Sequence, residues 1–288
     1  MLDYGDRLKY NHEQMISRVD LHVHSTASDG RKSPSEVVAL AASRGLRLLA
    51  LTDHDTTAGT AEAQASGKGM GVRVIAGVEI NTDSPMGEVH LIGYLAAPEH
   101  SELQTGLNEL RRHRLERAKA IISKLNGIGV ALTLEQVQAQ ATHQALGRAH
   151  IARALAVGGW VGTPSSAFEL YIGRDKPAHV PRYAFSPEQA IALIHSAKGI
   201  SALAHPLRSG NEDKIPELVE QGLNALEVYY FDHSPAETAR LKAVADRYGL
   251  LRTGGSDFHE TRKDGSRGIG SVWVSEEEGE RLLTALTR

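Results

Sequence analysis

The chain has 288 residues, 41% of them hydrophobic, which suits one large α/β domain or one domain carrying an insertion. A net charge of −3 gives no general pull toward nucleic acid, and the absence of cysteine excludes disulfides, thiolate metal sites and a cysteine nucleophile. No apolar run reaches the roughly 18 residues of a membrane span, and residues 1–17 lack a signal-peptide core. The expectation is a cytoplasmic protein without a membrane role, in which residues 1–14 form an extension before a start near Met15.

The first predicted strand is Arg18-Val19-Asp20-Leu21-His22-Val23-His24. Alternation puts Asp20, His22 and His24 on one face and Val19, Leu21 and Val23 on the other. Two imidazoles about 7 Å apart along a strand can grip one cation, although an isolated His-x-His is usually just a strand's polar face. Ser33-Pro34-Ser35-Glu36 is a capping box with Pro at the first helical position, and this helix stops at Gly45. The apolar run 46–52 suits a buried parallel strand and ends in Asp53-His54-Asp55. A helix is expected over 58–65, and then a strand over 72–80 with Glu79 near its end. A turn around 84–87 leads into Glu88-Val89-His90-Leu91-Ile92-Gly93-Tyr94, an alternating strand.

The pattern then changes. Residues 101–125 read as one Arg-rich helix closed by Asn126-Gly127, Thr133-Leu134-Glu135-Gln136 caps another, and residues 144–153 continue as helix. Lys176-Pro177-Ala178-His179-Val180-Pro181-Arg182 is expected to be extended, since each Pro biases its predecessor away from helix. Residues 104–185 are therefore read as a helical insertion. They hold 11 Lys+Arg against 5 Asp+Glu, a net of +6; of the chain's 32 and 35 this leaves 21 against 30, a net of −9. An acidic body with a basic insert can hold cations in one part and draw an anionic substrate to the other. The arginines between Arg111 and Arg117 read equally well as a solvated helix face.

The strand–helix rhythm resumes at Ser186-Pro187-Glu188-Gln189. Strands are expected over 200–204, ending at His205-Pro206, over 225–230, over 250–253 before Gly254-Gly255-Ser256-Asp257-Phe258-His259, and over 270–274. Helices are expected over 215–221, from Ser234-Pro235-Ala236-Glu237, and at the C-terminus. Such alternation indicates a parallel α/β barrel or an open doubly wound sheet. Ligand-type residues at many strand ends favour the barrel, where they converge on one face.

Those residues are His22, His24, Asp29, His54, Glu79, His90, His205, Asp257 and His259. Six imidazoles and three carboxylates are too many for one cation and suit two or three. Without thiolate the set fits Mn²⁺, Fe²⁺ or Zn²⁺, and affinity alone does not choose among them. Three carboxylates leave such a cluster electropositive, with room for a hydroxide and an anionic substrate. Clustered metals of this kind activate water and clamp phosphoryl oxygens.

Asp20-Leu21-His22-Val23-His24-Ser25, Thr52-Asp53-His54-Asp55, Gly77-Val78-Glu79-Ile80, Ala204-His205-Pro206 and Gly255-Ser256-Asp257-Phe258-His259 together resemble the motifs of the PHP (polymerase and histidinol phosphatase) family. The resemblance spans the chain after Met15 and implies a distorted, seven-stranded β/α barrel over 15–103 and 186–288, with residues 104–185 as a substrate cap. The strand around His90 and the insertion are similar to a subgroup of 3′,5′-nucleoside bisphosphate phosphatases and 5′→3′ exoribonucleases. The resemblance implies a trinuclear centre, with Mn²⁺ first among its metals, in which Glu79 bridges two ions. His22, His24 and Asp257 would complete one ion's shell, Asp29, His54 and His259 would hold another, and His90 and His205 would serve the third. It further implies removal of the 3′-phosphate from a nucleoside 3′,5′-bisphosphate, or shortening of 5′-phosphorylated RNA, with no protein partner. Arg148, His150, Lys176 and Arg182 are the candidate phosphate contacts, Arg148 first among them, and the loop from Arg262 to Arg267 is another basic candidate. Asp20 and Asp53 are expected to orient imidazoles, Glu227 to act at the same barrel face, and His233 to be a candidate general acid. The alternatives are a small-metabolite phosphatase such as histidinol phosphatase, a non-catalytic metal-binding PHP module, and a carbon–nitrogen hydrolase. The last would not be expected to carry the Gly-Ser-Asp-Phe-His ending.

Overall fold

The computed structural model describes residues 18–84, 87–141, 145–183, 185–260 and 268–288. Expectations for residues 1–14 and for the Arg262 to Arg267 loop lie outside the described residues. Strand β1 (Val19–Val23) is followed by α1 (Pro34–Ser43), β2 (Leu48–Leu51), α2 (Thr60–Met70), β3 (Arg73–Ser84) and β4 (Gly87–Leu95). Next come helices α3 (Ser101–Gly127), α4 (Leu134–Gln138), α5 (Arg148–Val157) and α6 (Pro164–Ala167), the last running into a π-helical turn over Phe168–Ile172. The sheet resumes through α7 (Pro187–Ser196), β5 (Ile200–Leu203), α8 (Ile215–Glu220), β6 (Ala225–Tyr230), α9 (Pro235–Tyr248), β7 (Leu251–Gly255) and α10 (Glu276–Leu286).

The seven strands pair in sequence order, and a parallel bridge between Val23 and Phe258 brings β7 back toward β1. The sheet is thus a nearly closed barrel. Gly255 permits that closure, because a Cβ there would lie 2.5 Å from the His22 amide nitrogen. The barrel is not all parallel, as the strand–helix rhythm suggested. β4 runs antiparallel to both β3 and β5, because the short connection between residues 84 and 87 can form only a hairpin. This reversal puts the start of β4, with His90, at the same barrel face as the C-terminal ends of the parallel strands.

The expected capping boxes form at Ser33, Thr133, Ser186 and Ser234. Helix α2 runs beyond the expected 58–65, to Met70, and ends where Gly71 adopts a left-handed φ of 71°. Residues 270–274 do not form the expected strand. Gly270 turns the chain at φ 72°, and Val272 and Val274 enter the core.

Helix α3 serves two cores. Leu103, Leu107 and Leu110 pack with barrel residues such as Leu91, Ile191 and Ile194. Ala118, Ile121, Ile122 and Leu125 belong instead to a second core with Leu146, Ile151, Leu155 and Ile172. The insert therefore has an interior of its own, and one continuous helix carries it out of the barrel. Among the described residues, no helix is long and apolar enough to cross a membrane.

Candidate metal centre

All nine ligand-type residues meet at one barrel mouth. His22 sits in β1 and His24 just beyond it, Asp29 in the following turn, His54 past β2, Glu79 in β3, His90 in β4, His205 past β5, and Asp257 and His259 past β7. His205 and Asp257 hold left-handed backbones at φ 30° and 50°, and Asp55, next to His54, does so at 52°. Such conformations persist where the surroundings over-determine them, as in functional sites.

Glu79, 1% exposed, is the hub. Its Oε2 lies 3.4 Å from His22 Nε2, 3.2 Å from His24 Nε2 and 3.1 Å from His54 Nδ1. Its Oε1 lies 2.9 Å from His90 Nδ1 and 3.3 Å from His205 Nε2. On the other side, Asp257 Oδ1 is 3.6 Å from His22 Nε2 and 3.4 Å from both His24 Nε2 and His259 Nδ1, and Asp29 Oδ1 is 3.2 Å from His259 Nε2. Three sets, the first two sharing His24, each bring their ligand atoms within 4.8 Å: His22, His24 and Asp257; His24, Asp29, His54 and His259; and Glu79, His90 and His205.

This donor set fits divalent cations. The Nε2 atoms of His22 and His24 are 3.1 Å apart, a crowding that a shared cation relieves. His24 Nδ1 is buried without a hydrogen-bond partner among the described residues, and His54 Nδ1 and Asp29 Oδ1 have only ion-pair contacts, the closest at 3.1 and 3.2 Å, without good hydrogen-bond geometry. Buried polar atoms are nearly always satisfied, so the orphans mark positions for a ligand. Burial pulls the His54 pKa down to about 3, favouring the neutral, ligating form. Burial also opposes charge on His259, but Asp29 and Asp257 outweigh it and push its pKa up to about 10. Burial opposes ionisation of Glu79 as well, yet His54 and His22 hold its carboxyl well below the usual range.

The groups that orient these ligands differ from those expected. Neither Asp20 nor Asp53 hydrogen-bonds an imidazole. Asp20 accepts from the Ser256 and Gly270 amides at 2.9 and 2.8 Å, tying β1 to the loops after β7. Asp53 accepts from the Ser25 amide and hydroxyl and from the Ser28 hydroxyl at 2.6–2.8 Å, shaping the turn that carries Asp29. The imidazole is oriented by Glu227, fully buried, with Oε1 3.0 Å from His22 Nδ1 and Oε2 accepting from the His205 amide at 2.6 Å. Tyr230, which sequence reasoning missed, donates its hydroxyl to Asp257 Oδ2 at 2.7 Å. Strict alternation would put Tyr229 on the face of Glu227, but a register shift between Glu227 and Tyr229 brings Tyr230 there instead. Tyr229 points away, to Glu278 of α10. His233 donates Nδ1–H to the Val228 carbonyl at 3.0 Å, and it lines neither of the cavities at the mouth.

Two cavities adjoin the cluster. A cleft of about 610 Å³ is lined by His54, Glu79, His90, His205, Asp257 and His259, with Glu88, Arg174 and Arg208 among its other walls. Beside it, a basic pocket is formed under the insert by Arg114, Arg117, Arg148 and Arg182 over Leu110, Ile121 and Ile151. At its edge the rings of His113 and Tyr183 stack with centroids 3.5 Å apart. Asp55 pairs with Arg114, and Glu88 lies 3.3 Å from both Arg148 and Arg182. Arg117 donates Nε–H to the Val180 carbonyl at 2.9 Å; burial, then Arg182 and Arg148, lower its pKa to about 9.

Of the four phosphate-contact candidates, the structure brings Arg148 and Arg182 to this pocket. His150 is used otherwise. Its Nδ1 accepts from the Gly147 amide at 3.0 Å and its Nε2 donates to the Ser28 carbonyl at 3.1 Å, so no ring nitrogen is left for a substrate. Lys176 is exposed and lines neither cavity. Arg114 and Arg117 are not a solvated face, unlike Arg112, whose side chain is 67% exposed. Helical periodicity can place them on one side of α3 but cannot reveal that the barrel mouth lies opposite.

The PHP domain family matches residues 20–232. A 3′,5′-nucleoside bisphosphate phosphatase of Chromobacterium violaceum is 34% identical over 264 residues, covering 88% of this chain and 91% of that protein. The 5′-3′ exoribonuclease Rnm of Escherichia coli is 35% identical over 248 residues, 84% of this chain and 85% of its own. A solved structure from Bifidobacterium adolescentis, assigned as a metal-dependent phosphoesterase, superposes with a TM-score of 0.85 at 30% identity over 93% of this chain and 96% of that one. In fold, in sequence and in the residues gathered at its barrel mouth, the chain belongs to the PHP family.

Proposed function

We propose that this protein is a metal-dependent phosphoesterase that removes the 3′-phosphate from nucleoside 3′,5′-bisphosphates, leaving the 5′-monophosphate, and that the same centre shortens 5′-phosphorylated RNA. The observation that carries this reading is the pairing of a three-part ligand cluster with a separate arginine pocket beside it. One part suits a scissile phosphate and the other a phosphate that is bound but not cut. A histidinol phosphatase needs only the first, and a non-catalytic module needs neither the cleft nor the arginines.

In this reading His22, His24 and Asp257 hold one cation, Asp29, His54 and His259 with His24 a second, and His90 and His205 a third, with Glu79 shared between sets. Mn²⁺ is the first choice, with Fe²⁺ or Zn²⁺ as alternatives. Divalent cations bound there supply activated water and neutralise the charge developing on phosphoryl oxygens.

The chain's own groups set the stage. Glu227 accepts the His22 Nδ1 proton, which leaves the Nε2 lone pair facing the cluster. Tyr230 occupies Asp257 Oδ2 and leaves Oδ1 free to ligate. Ser209 Oγ, 2.8 Å from His205 Nδ1, does the same for His205 Nε2. In this reading Arg148 and Arg182, which line the pocket beside the cluster, bind the non-scissile phosphate through two-pronged guanidinium contacts, and Arg117 adds positive charge beside them. Phosphate release by Mn²⁺-loaded protein from adenosine 3′,5′-bisphosphate, histidinol phosphate and short 5′-phosphorylated RNAs tests the reading. The bisphosphate is expected to be the best substrate, with adenosine 5′-monophosphate as product. A preference for histidinol phosphate would overturn it.

A further inference from the structure

Glu88 stands on the wall between the two cavities. It is the second residue of β4, whereas Arg148 and Arg182 come from the insert. Its Oε1 lies 3.3 Å from an Nη2 of each arginine, and its Oε2 lies 3.8 Å from His90 Nε2. Two guanidinium groups converging on one anionic oxygen is the arrangement that holds a phosphate oxygen. Asn211 fixes the strand here, donating Nδ2–H to the Glu88 carbonyl at 2.9 Å. The Glu88 side chain is one-third exposed and the arginines less so, so the carboxylate can swing into the cleft while the guanidiniums stay in place.

We propose that Glu88 is an internal competitor for the anionic substrate: its carboxylate holds Arg148 and Arg182 in the free protein and yields them to the substrate's non-scissile phosphate. The inference rests on the reading that these arginines meet that phosphate, and it adds a selectivity rule. A terminal phosphate monoester carries about −1.5 to −2 at neutral pH and outcompetes a single carboxylate. A phosphodiester carries about −1 and does not. Displacing Glu88 costs either ligand the same, so Glu88 sets a threshold of affinity that a terminal phosphate passes and an internal phosphodiester, the weaker ligand of the two arginines, does not. It also keeps the arginines ordered and paired before substrate arrives, which lowers the ordering cost of binding.

The test is calorimetric binding of adenosine 5′-monophosphate and of its 5′-phosphate methyl ester to Mn²⁺-loaded wild type, Glu88→Gln, Arg148→Ala and the double variant. Elemental analysis of bound metal and a thermal melt accompany each. Glu88→Gln is expected to bind the monophosphate roughly three- to tenfold more tightly, from the loss of two partly exposed ion pairs. The methyl ester should gain by a similar factor, because the cost of displacing Glu88 is common to both ligands. The gain should shrink in the double variant, where Glu88 has only Arg182 left to hold. Glu88→Asp, shorter but still charged, should show a smaller gain and covers the case of a poorly folded Glu88→Gln. If Arg148→Ala weakens binding while Glu88→Gln binds no better than wild type, Glu88 merely props the arginines and the proposal fails. If Arg148→Ala binds the monophosphate as wild type does, the reading of the arginine pocket fails first, and this inference with it.

Discussion

Replacing Glu227 with Gln should weaken metal binding through a single proton. In the wild type two donors face two carboxylate oxygens: the His22 Nδ1–H at 3.0 Å and the His205 amide at 2.6 Å. A glutamine has one acceptor oxygen and one NH₂. The His205 amide cannot change its role, so the side-chain oxygen must stay with it, and the NH₂ then faces His22. To accept from that NH₂, His22 must move its proton from Nδ1 to Nε2, the atom aimed at Glu79 and Asp257. The ligating nitrogen is then protonated before any metal arrives. Loss of such an outer partner typically lowers metal affinity by about 10- to 100-fold, or roughly 1.4–2.8 kcal/mol at 1.4 kcal/mol per decade. The side chain keeps its volume, so packing around this fully buried position is retained. Competition for Mn²⁺ against a chelator of known affinity reads the effect directly. Unchanged Mn²⁺ affinity in a variant that melts like the wild type would refute the argument that Glu227 sets the His22 tautomer.

His22→Ala or Asp257→Asn should abolish turnover and reduce bound metal by elemental analysis; full activity of either variant after chelation would count against the metal centre. Chelating the wild type should lower its melting temperature by several degrees, because the ligands come from separate strands and loops and are assembled only in the folded state. The chelated protein should also lose stability as pH rises from about 6.5 to about 10. The folded pKa of His259, at about 10, lies above its unfolded value near 6.5, so its contribution is complete below 6.5 and gone above 10; a melting temperature flat over that range would contradict this. Arg148→Ala should lower kcat/KM for adenosine 3′,5′-bisphosphate about 10- to 150-fold, from one lost charge-assisted contact of roughly 1.5–3 kcal/mol. It should barely affect a small phosphomonoester without a second phosphate, and equal losses on both would make Arg148 a support of the fold.

The barrel was legible because its punctuation is local. Capping boxes at Ser33, Ser186 and Ser234, and apolar runs such as 46–52 that end in ligand-type residues, each occupy a few consecutive positions. What stayed hidden depends on partners far away in the chain. The reversal of β4 is a pairing property, and His90 shares the mouth only because of it. Asp20 and Asp53 look like orienters of neighbouring histidines, yet their acceptor oxygens go to serines and backbone amides. Tyr230 was lost to a register shift that breaks the two-residue rule. Arg114 and Arg117 read equally well as solvated charges or as substrate contacts, since a sequence does not say which side of a helix another part of the chain covers. The false strand over 270–274 shows the opposite failure: an apolar pattern that marks burial but not a strand.

The insert's anchors have a consequence for how this protein can be altered. Arg153 donates to the Asp29 carbonyl and His150 to that of Ser28, while Arg111 donates to the Asp55 carbonyl and Arg114 pairs with the Asp55 carboxylate. These are the turns that present Asp29 and His54. The helical segment is therefore not a lid swinging free above a finished site, because it grips the same short turns from above that the barrel grips from below. Exchanging it for a relative's segment, or trimming it to open the mouth to larger substrates, would also release the turns that position two of the nine ligands. A graft that preserved the barrel but not these four anchors would change the metal content along with the specificity.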